Sequence, residues 1–265
     1  MEKEQQKSNA VITENYSLYC GDCLEVLLTI TKQSIDLVII DPPYGQTPLK
    51  WDSVIPFKNL WEYLHRVIKP STPILIFGQE PFSSYVRISN ISEYKYDWYW
   101  EKERLTNVFQ VKRRPGKTIE TISVFYDKQP IYNPQKNKHE GKLVTNKIGE
   151  NARWSVTQSG YEPKTKPFEY HDDGTRHPTQ VLRINRDNPR KVLHPTQKPV
   201  ELLEYLINTY TNENNLVLDC CMGSGSTGIA CLNTNRKFIG IEKDETYFDV
   251  AKQRMESHQT PNIGE

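Results

Sequence analysis

The run Leu216-Val217-Leu218-Asp219-Cys220-Cys221-Met222-Gly223-Ser224-Gly225-Ser226-Thr227-Gly228 constrains the fold of this chain more than any other segment. A short apolar run reads as a buried strand, three glycines in G-x-G-x-x-G spacing follow at once, and an apolar helical pattern opens behind them. Lys237 to Ile241 then reads as the next strand and ends on Glu242. Such a unit lets a ligand approach the backbone closely at the head of the helix. The acid at the tip of the following strand can accept hydrogen bonds from both hydroxyls of a ribose.

The ligand is set by what surrounds the loop. After Glu242 the sequence offers one helical pattern, from about Asp244 through Phe248, Ala251 and Met255, and no second mononucleotide half of the kind a nicotinamide enzyme carries. The other strands must come from the N-terminal side. They are read at Tyr16 to Cys20, Ile35 to Ile40, Pro73 to Phe77, Lys95 to Trp100 and Glu120 to Tyr126. Asp219 stands before the first glycine, where a carboxylate suits a cationic amino group better than a pyrophosphate. Both points favour S-adenosyl-L-methionine over NAD. Amphipathic helices are expected from Phe57 to Ile68, between Pro56 and Pro70, and from Val200 to Tyr210. Strand and helix alternate, so the expected fold is α/β, a doubly wound seven-stranded Rossmann-like sheet.

Residues 131–193 break this rhythm. They are rich in Lys, Asn, Pro, Gly and Thr, without a sustained apolar period, and too long for an ordinary connection. Residues 101–192 also hold 19 Lys+Arg against 11 Asp+Glu, while the remainder holds 15 against 22. A basic middle between acidic flanks points to a polyanion bound by one part of the chain. The expected organisation is therefore 1–130 as one half of a domain, 131–193 as a substrate-contacting insertion, and 194–265 as the ligand-binding half. No apolar run approaches membrane-spanning length, and the polar start carries no signal peptide, so no membrane association is expected. Five cysteines without a secretory signal fit reduced thiols in a cytoplasm. Cys20-x-x-Cys23 lacks a second ligand pair, so no metal is expected.

A second constellation carries chemistry. Ser34 to Ile40 reads as a buried strand that runs directly into Asp41-Pro42-Pro43-Tyr44. Active sites of open α/β sheets form at this carboxyl end. Methylating an exocyclic amine requires exposing a nitrogen lone pair that is delocalised into the ring. Asp41 and the Pro42 carbonyl can accept the two amino hydrogens. Pro43 has no N–H and restricts the backbone of Pro42, and Tyr44 offers a face on which a base can stack.

With these motifs in this order, the chain resembles the amino-methyltransferases of DNA in the permuted arrangement called the beta class. Asp41 to Tyr44 comes first, then the basic insertion, then Asp219 to Gly228. The resemblance runs from Tyr19-Cys20-Gly21-Asp22-Cys23-Leu24 to Ile239-Gly240-Ile241-Glu242, and His194-Pro195-Thr196-Gln197-Lys198-Pro199 before a helix is a further family signature. It implies an S-adenosyl-L-methionine-dependent adenine-N6 methyltransferase acting on double-stranded DNA with base flipping, a homodimer being left open. The strand of Leu216 would adjoin that of Ile35. Asp219 through Ser226 would hold the methionine moiety, with Cys220, Met222, Gly223, Ser224, Gly225 and Thr227 in the same wall. Glu242 would meet the ribose and Asp22 the adenine ring, with Cys23 and Lys243 also among the cofactor-binding residues. Thr196, Gln197 and Lys198 would close over the cofactor carboxylate. The chain departs from the family in carrying Cys220-Cys221 where an aromatic commonly follows the loop aspartate.

Phosphate contacts are expected from Lys112, Arg113, Arg114 and Lys117, with Lys102 beside them. Tyr96, Trp98 and Trp100 alternate along a strand and are read as core, not as a stacking platform. A cytosine-N4 methyltransferase is the nearest alternative, although that type more often begins the tetrapeptide with Ser. An RNA or protein methyltransferase fits the basic insertion and the motif order less well. A catalytically silent DNA-binding protein would not need Asp41, Tyr44 and Glu242 intact. Cys220 and Cys221 are not expected as nucleophiles, because the Pro-Cys element of carbon-methylating enzymes is missing.

Overall fold

The computed structural model describes residues 10–45, 53–138, 146–148, 155–157, 160–162, 168–170, 173–187, 193 and 197–259. They fall into two compact units, one formed by residues up to Asn133 together with those from Thr179 onward, the other by Pro134–Pro178.

The first unit is built on a nine-stranded sheet. Its order is β1 (Ala10–Ile12), β2 (Tyr16–Cys20), β15 (Lys237–Glu242), β14 (Leu216–Asp219), β3 (Leu37–Ile40), β4 (Ile74–Gly78), β6 (Ile119–Phe125), β5 (Tyr94–Glu101) and β13 (Val181–Arg183). The block from β2 to β4 is parallel, and β6 runs antiparallel between β4 and β5. All seven expected strands are present. The expected count of seven is corrected by two short strands at the sheet edges, β1 antiparallel to β2 and β13 parallel to β5. Each has three residues and at most one buried side chain, too little to produce an apolar period.

Alternation along the central strands divides the core in two. Leu37, Ile39, Leu75 and Phe77 face one layer, Val38, Ile40, Ile74 and Ile76 the other. The first layer is covered by α4 (Val200–Tyr210), α5 (Ser226–Asn233) and α6 (Glu245–Gln259), the second by α1 (Cys23–Leu27), α2 (Phe57–Val67) and α3 (Phe82–Ser89). Of the stripe that its 3.6-residue period predicts, α2 buries Leu60, Trp61 and Leu64, with Phe57 and Ile68 partly buried and Val67 buried beside them. Trp98 and Trp100 are core residues: their indole N–H groups donate to the Tyr210 hydroxyl and the Ile184 carbonyl, each at 2.7 Å. This satisfies polar atoms that burial would otherwise leave unpaired.

The second unit contains three two-stranded antiparallel ladders: β7 (Asn137–Lys138) with β12 (Thr175–Arg176), β8 (Asn146–Ile148) with β11 (Phe168–Tyr170), and β9 (Ser155–Thr157) with β10 (Gly160–Glu162).

Candidate active site

β14 and β3 are neighbours, with Val217 opposite Leu37 and Leu218 opposite Val38. Because the two strands run parallel, Asp219 and Asp41 stand at the same, carboxyl end of the sheet, and the glycine loop and the Asp41 tetrapeptide share one cleft.

The glycine loop is held by Glu242. Gly223 N donates to its Oε2 at 2.8 Å and Asp244 N to its Oε1 at 2.9 Å. Burial raises the pKa of Glu242, while those two backbone donors act the other way. Gly225, at φ +78°, starts α5, and a Cβ there would meet the Ala251 Cβ at 3.0 Å, so both backbone and space call for glycine. Asp219 is buried and accepts from Thr227 Oγ1 at 2.6 Å and Cys221 N at 3.0 Å. Burial pushes its pKa up to about 7; the two donors oppose the rise, and Asp41 and Glu242 add to it. Asp22 caps α1 through Leu24 N at 3.0 Å and pairs with Lys243 at 2.9 Å. Cys23, Cys220 and Cys221 line this wall together, where the family commonly has an aromatic after the loop aspartate. Gln197 ties the pre-α4 segment to the loop by accepting from Ser224 Oγ at 3.0 Å.

On the β3 side the chain assembles a buried charge cluster. Tyr44 Oη donates to Asp41 Oδ1 at 2.7 Å and lies 3.2 Å from Glu120 Oε1. Its ring packs on Phe82, with centroids 4.9 Å apart. Lys198 Nζ contacts Asp41 Oδ2 and lies 3.0 Å from Glu120 Oε1, while Lys102 Nζ lies 2.5 Å from Glu120 Oε2. Two ammonium groups and two carboxylates balance. Burial would raise the pKa of Glu120, but Lys198 and then Lys102 outweigh it and hold it low. Burial works against the charge on Lys198, but Asp41 and then Glu120 keep it protonated above its ordinary range. Burial, followed by Asp41 and Glu120, raises the Tyr44 phenol well above its usual value, so Tyr44 is a hydrogen-bond donor here.

Both groups of residues line one cavity of about 890 Å³, within the range of small-molecule sites. All four residues of the tetrapeptide line it, as do the described residues of the expected cofactor set other than Gly225. Thr196 lies outside the described residues.

The chain matches the N6/N4 family model described as DNA methylase over residues 35–253. It belongs to the DNA methylase family. A relative from Streptococcus pneumoniae, the type II methyltransferase M2.DpnII, is 42% identical over 267 residues, covering 91% of this chain and 90% of the relative. Among solved structures, the M1.HpyAVI–SAM complex matches with a TM-score of 0.59 at 25% identity, covering 90% of this chain and 99% of that one. The fold is also that of PvuII DNA methyltransferase (cytosine-N4-specific), with a TM-score of 0.66 at 20% identity, covering 96% of this chain and 89% of that one. The cofactor of this DNA methylase is S-adenosyl-L-methionine.

The residues present fit that cofactor. Asp219 is a buried carboxylate whose donors are neutral, with no cationic partner among the described residues, which suits a ligand bearing an ammonium group. Glu242 and Asp22 stand in the same cavity as acceptors for hydroxyl or amino hydrogens.

Two lysines of the expected site are held in the buried charge cluster. Lys102, expected among the phosphate contacts, has a side chain only 8% exposed and is paired with Glu120 beneath the tetrapeptide. Lys198, expected to close over the cofactor carboxylate, lines the same cavity, where its ammonium pairs with Asp41 and Glu120 and lies 5.0 Å from the centre of the Phe77 ring. Lys112, Arg113 and Arg114 are exposed on the β5–β6 loop. Lys117 is half-buried, with Nζ 2.5 Å from Gln79 Oε1, and burial lowers its pKa. Glu120 is a site residue outside the expected set. The signal was available: a carboxylate within an apolar strand needs buried partners.

Proposed function

We propose that this DNA methylase is a site-specific adenine-N6 methyltransferase of the permuted beta class that acts on double-stranded DNA by flipping the target base. Residues 1–130 would form the catalytic half, 131–193 the target-recognition region, and 194–265 the S-adenosyl-L-methionine-binding half. The observation that carries the reading is the position of Asp41, at the end of β3 and in one cavity with Asp219 and Glu242.

In this reading Asp219 and the loop through Ser226 hold the methionine moiety, Glu242 the ribose and Asp22 the adenine. When bound, the cofactor supplies an electrophilic sulfonium methyl. Asp41 accepts one hydrogen of the target amine and the Pro42 carbonyl the other, which localises the nitrogen lone pair. A carboxylate has about four lone-pair sites, so Asp41 can receive the amine while keeping Tyr44 and Lys198. Lys198 and Glu120 act as positioning residues that fix the Asp41 carboxylate. The Tyr44 ring still borders the cavity for stacking, but its hydroxyl is tied to two carboxylates, so Tyr44→Phe should lower turnover, though less than Tyr44→Ala.

Nucleoside mass spectrometry of plasmid from cells expressing the protein tests the reading, with N6-methyladenine expected. N4-methylcytosine would defeat the substrate assignment and keep the arrangement of Asp41 and Pro42. 5-Methylcytosine would defeat both.

A further inference from the structure

Between β5 and β6 the chain extends into a loop whose outer turn is the 3₁₀ segment Val108–Gln110. Phe109, at the middle of that turn, is fully exposed, and Val108 and Val111 beside it are exposed as well. The loop is pinned at its neck. Lys117 N donates to Asn107 Oδ1 at 2.6 Å, Thr106 N to the Lys117 carbonyl at 2.9 Å, and Asn107 Nδ2 to the Pro115 carbonyl at 3.0 Å. Gly116 lies against the Leu105 side chain at the same neck.

Two further facts point to what covers the ring. Leu105–Ile119 carries four cations, Lys112, Arg113, Arg114 and Lys117, and no carboxylate, which complements a polyanion. The root of the loop belongs to the reaction cavity, because Leu105 and Thr106 line it together with Tyr44. Phe109 is three residues beyond Thr106, so the ring stands within about 11 Å of chain from the cavity's lining.

We propose that Phe109 is a wedge that enters the DNA stack at the step vacated by the extruded nucleotide, while Lys112, Arg113 and Arg114 hold the neighbouring phosphates. The inference rests on the base-flipping reading given above. Extruding a base forfeits its stacking, and an apolar side chain inserted between base steps replaces part of that loss. The ring stands outside the cavity, so its contribution is to extrusion and not to cofactor binding.

The test uses full-length protein and a duplex containing the site located by modified-base sequencing, with 2-aminopurine at the target position for fluorescence. Wild type should brighten the probe on binding, and Phe109→Ala should brighten it less. For methylation, Phe109→Ala should lower kcat/KM by about tenfold on the matched duplex and by no more than about twofold when the target adenine faces an abasic position, where extrusion is already easy. Phe109→Trp should retain most of the wild-type value. S-adenosyl-L-methionine affinity should not change in either variant. If wild type brightens the probe and Phe109→Ala matches it, the wedge is overturned while base flipping stands. Equal losses on both duplexes would also overturn it, in favour of a general binding contact. If wild type leaves the probe dark, the flipping reading fails and the wedge with it.

Discussion

Lys198 and Asp41 are 157 residues apart in the chain yet form a direct ion pair, and Glu120 takes the same ammonium at 3.0 Å. The Asp41 carboxylate is thereby fixed from below by a cation that a second buried acid holds in place. Lys102 closes the cluster on the far oxygen of Glu120. A neutral four-charge cluster of this kind keeps Asp41 oriented without moving net charge into the core.

Asp41→Ala and Glu120→Gln should separate chemistry from support. Asp41→Ala should nearly abolish methylation while S-adenosyl-L-methionine affinity stays within a few-fold, because Lys198 keeps Glu120 as its partner. Glu120→Gln leaves two buried lysines facing one carboxylate, and breaking such a cluster costs about 3–5 kcal/mol of stability. Adding Lys102→Met to Glu120→Gln should recover much of that loss. Denaturant titration alongside calorimetry and turnover checks all three variants, and wild-type turnover in Asp41→Ala would sink the assignment.

Glu242→Ala should weaken cofactor binding by about 1–3 kcal/mol through lost charge-assisted hydrogen bonds. The side chain also receives Gly223 N and Asp244 N, so part of the effect will come from a loosened loop. Glu242→Gln keeps acceptors for only part of that set and should fall between wild type and Ala in calorimetry. Unchanged affinity would remove the ribose role, and preferential binding of NAD would overturn the cofactor site as a whole.

Replacing Lys112, Arg113 and Arg114 together with Ala should reduce the slope of log K against log salt on duplex DNA by up to about 3. Lys102→Met should leave that slope where it was, since its ammonium is buried against Glu120. Fluorescence anisotropy over a salt series distinguishes the two, and an unaltered slope in the triple variant would mean that the loop is merely solvated.

What could be read in the chain followed the reach of local pattern. The seven main strands, the buried stripe of α2 and the glycine loop were all visible, because each rests on a period or a turn requirement within about ten residues. The adjacency of β14 and β3 followed from the family resemblance rather than from any local pattern. β1 and β13 were invisible because three-residue edge strands bury almost nothing. The partners of Lys198 and Lys102 were invisible for another reason: their contacts with Asp41 and Glu120 are set by which strand edges meet. Glu120 itself is legible as an anomaly, an acid in a strand that sends Ile122, Val124 and Phe125 into the core, and a buried acid calls for cations.

Asp219 supplies the pH-dependent prediction. An aspartate in the unfolded chain titrates near 3.9, whereas burial pushes Asp219 up to about 7 in the fold. Between those values the folded protein binds more protons than the unfolded one, so without cofactor this residue's contribution to stability falls as pH rises from about 4 to about 7, then levels off. An ammonium placed beside Asp219 would favour the carboxylate instead. Cofactor binding should then expel a proton and tighten as pH rises toward about 7. Calorimetry in two buffers of different ionisation enthalpy should show release of nearly one proton at a pH of about 6 and little at about 8. Asp219→Asn should bind more weakly and lose the proton release, because the amide can hydrogen-bond but not titrate. If wild type binds S-adenosyl-L-methionine without releasing a proton at the lower pH, Asp219 does not face the amino group, and the methionine moiety must lie elsewhere along the loop.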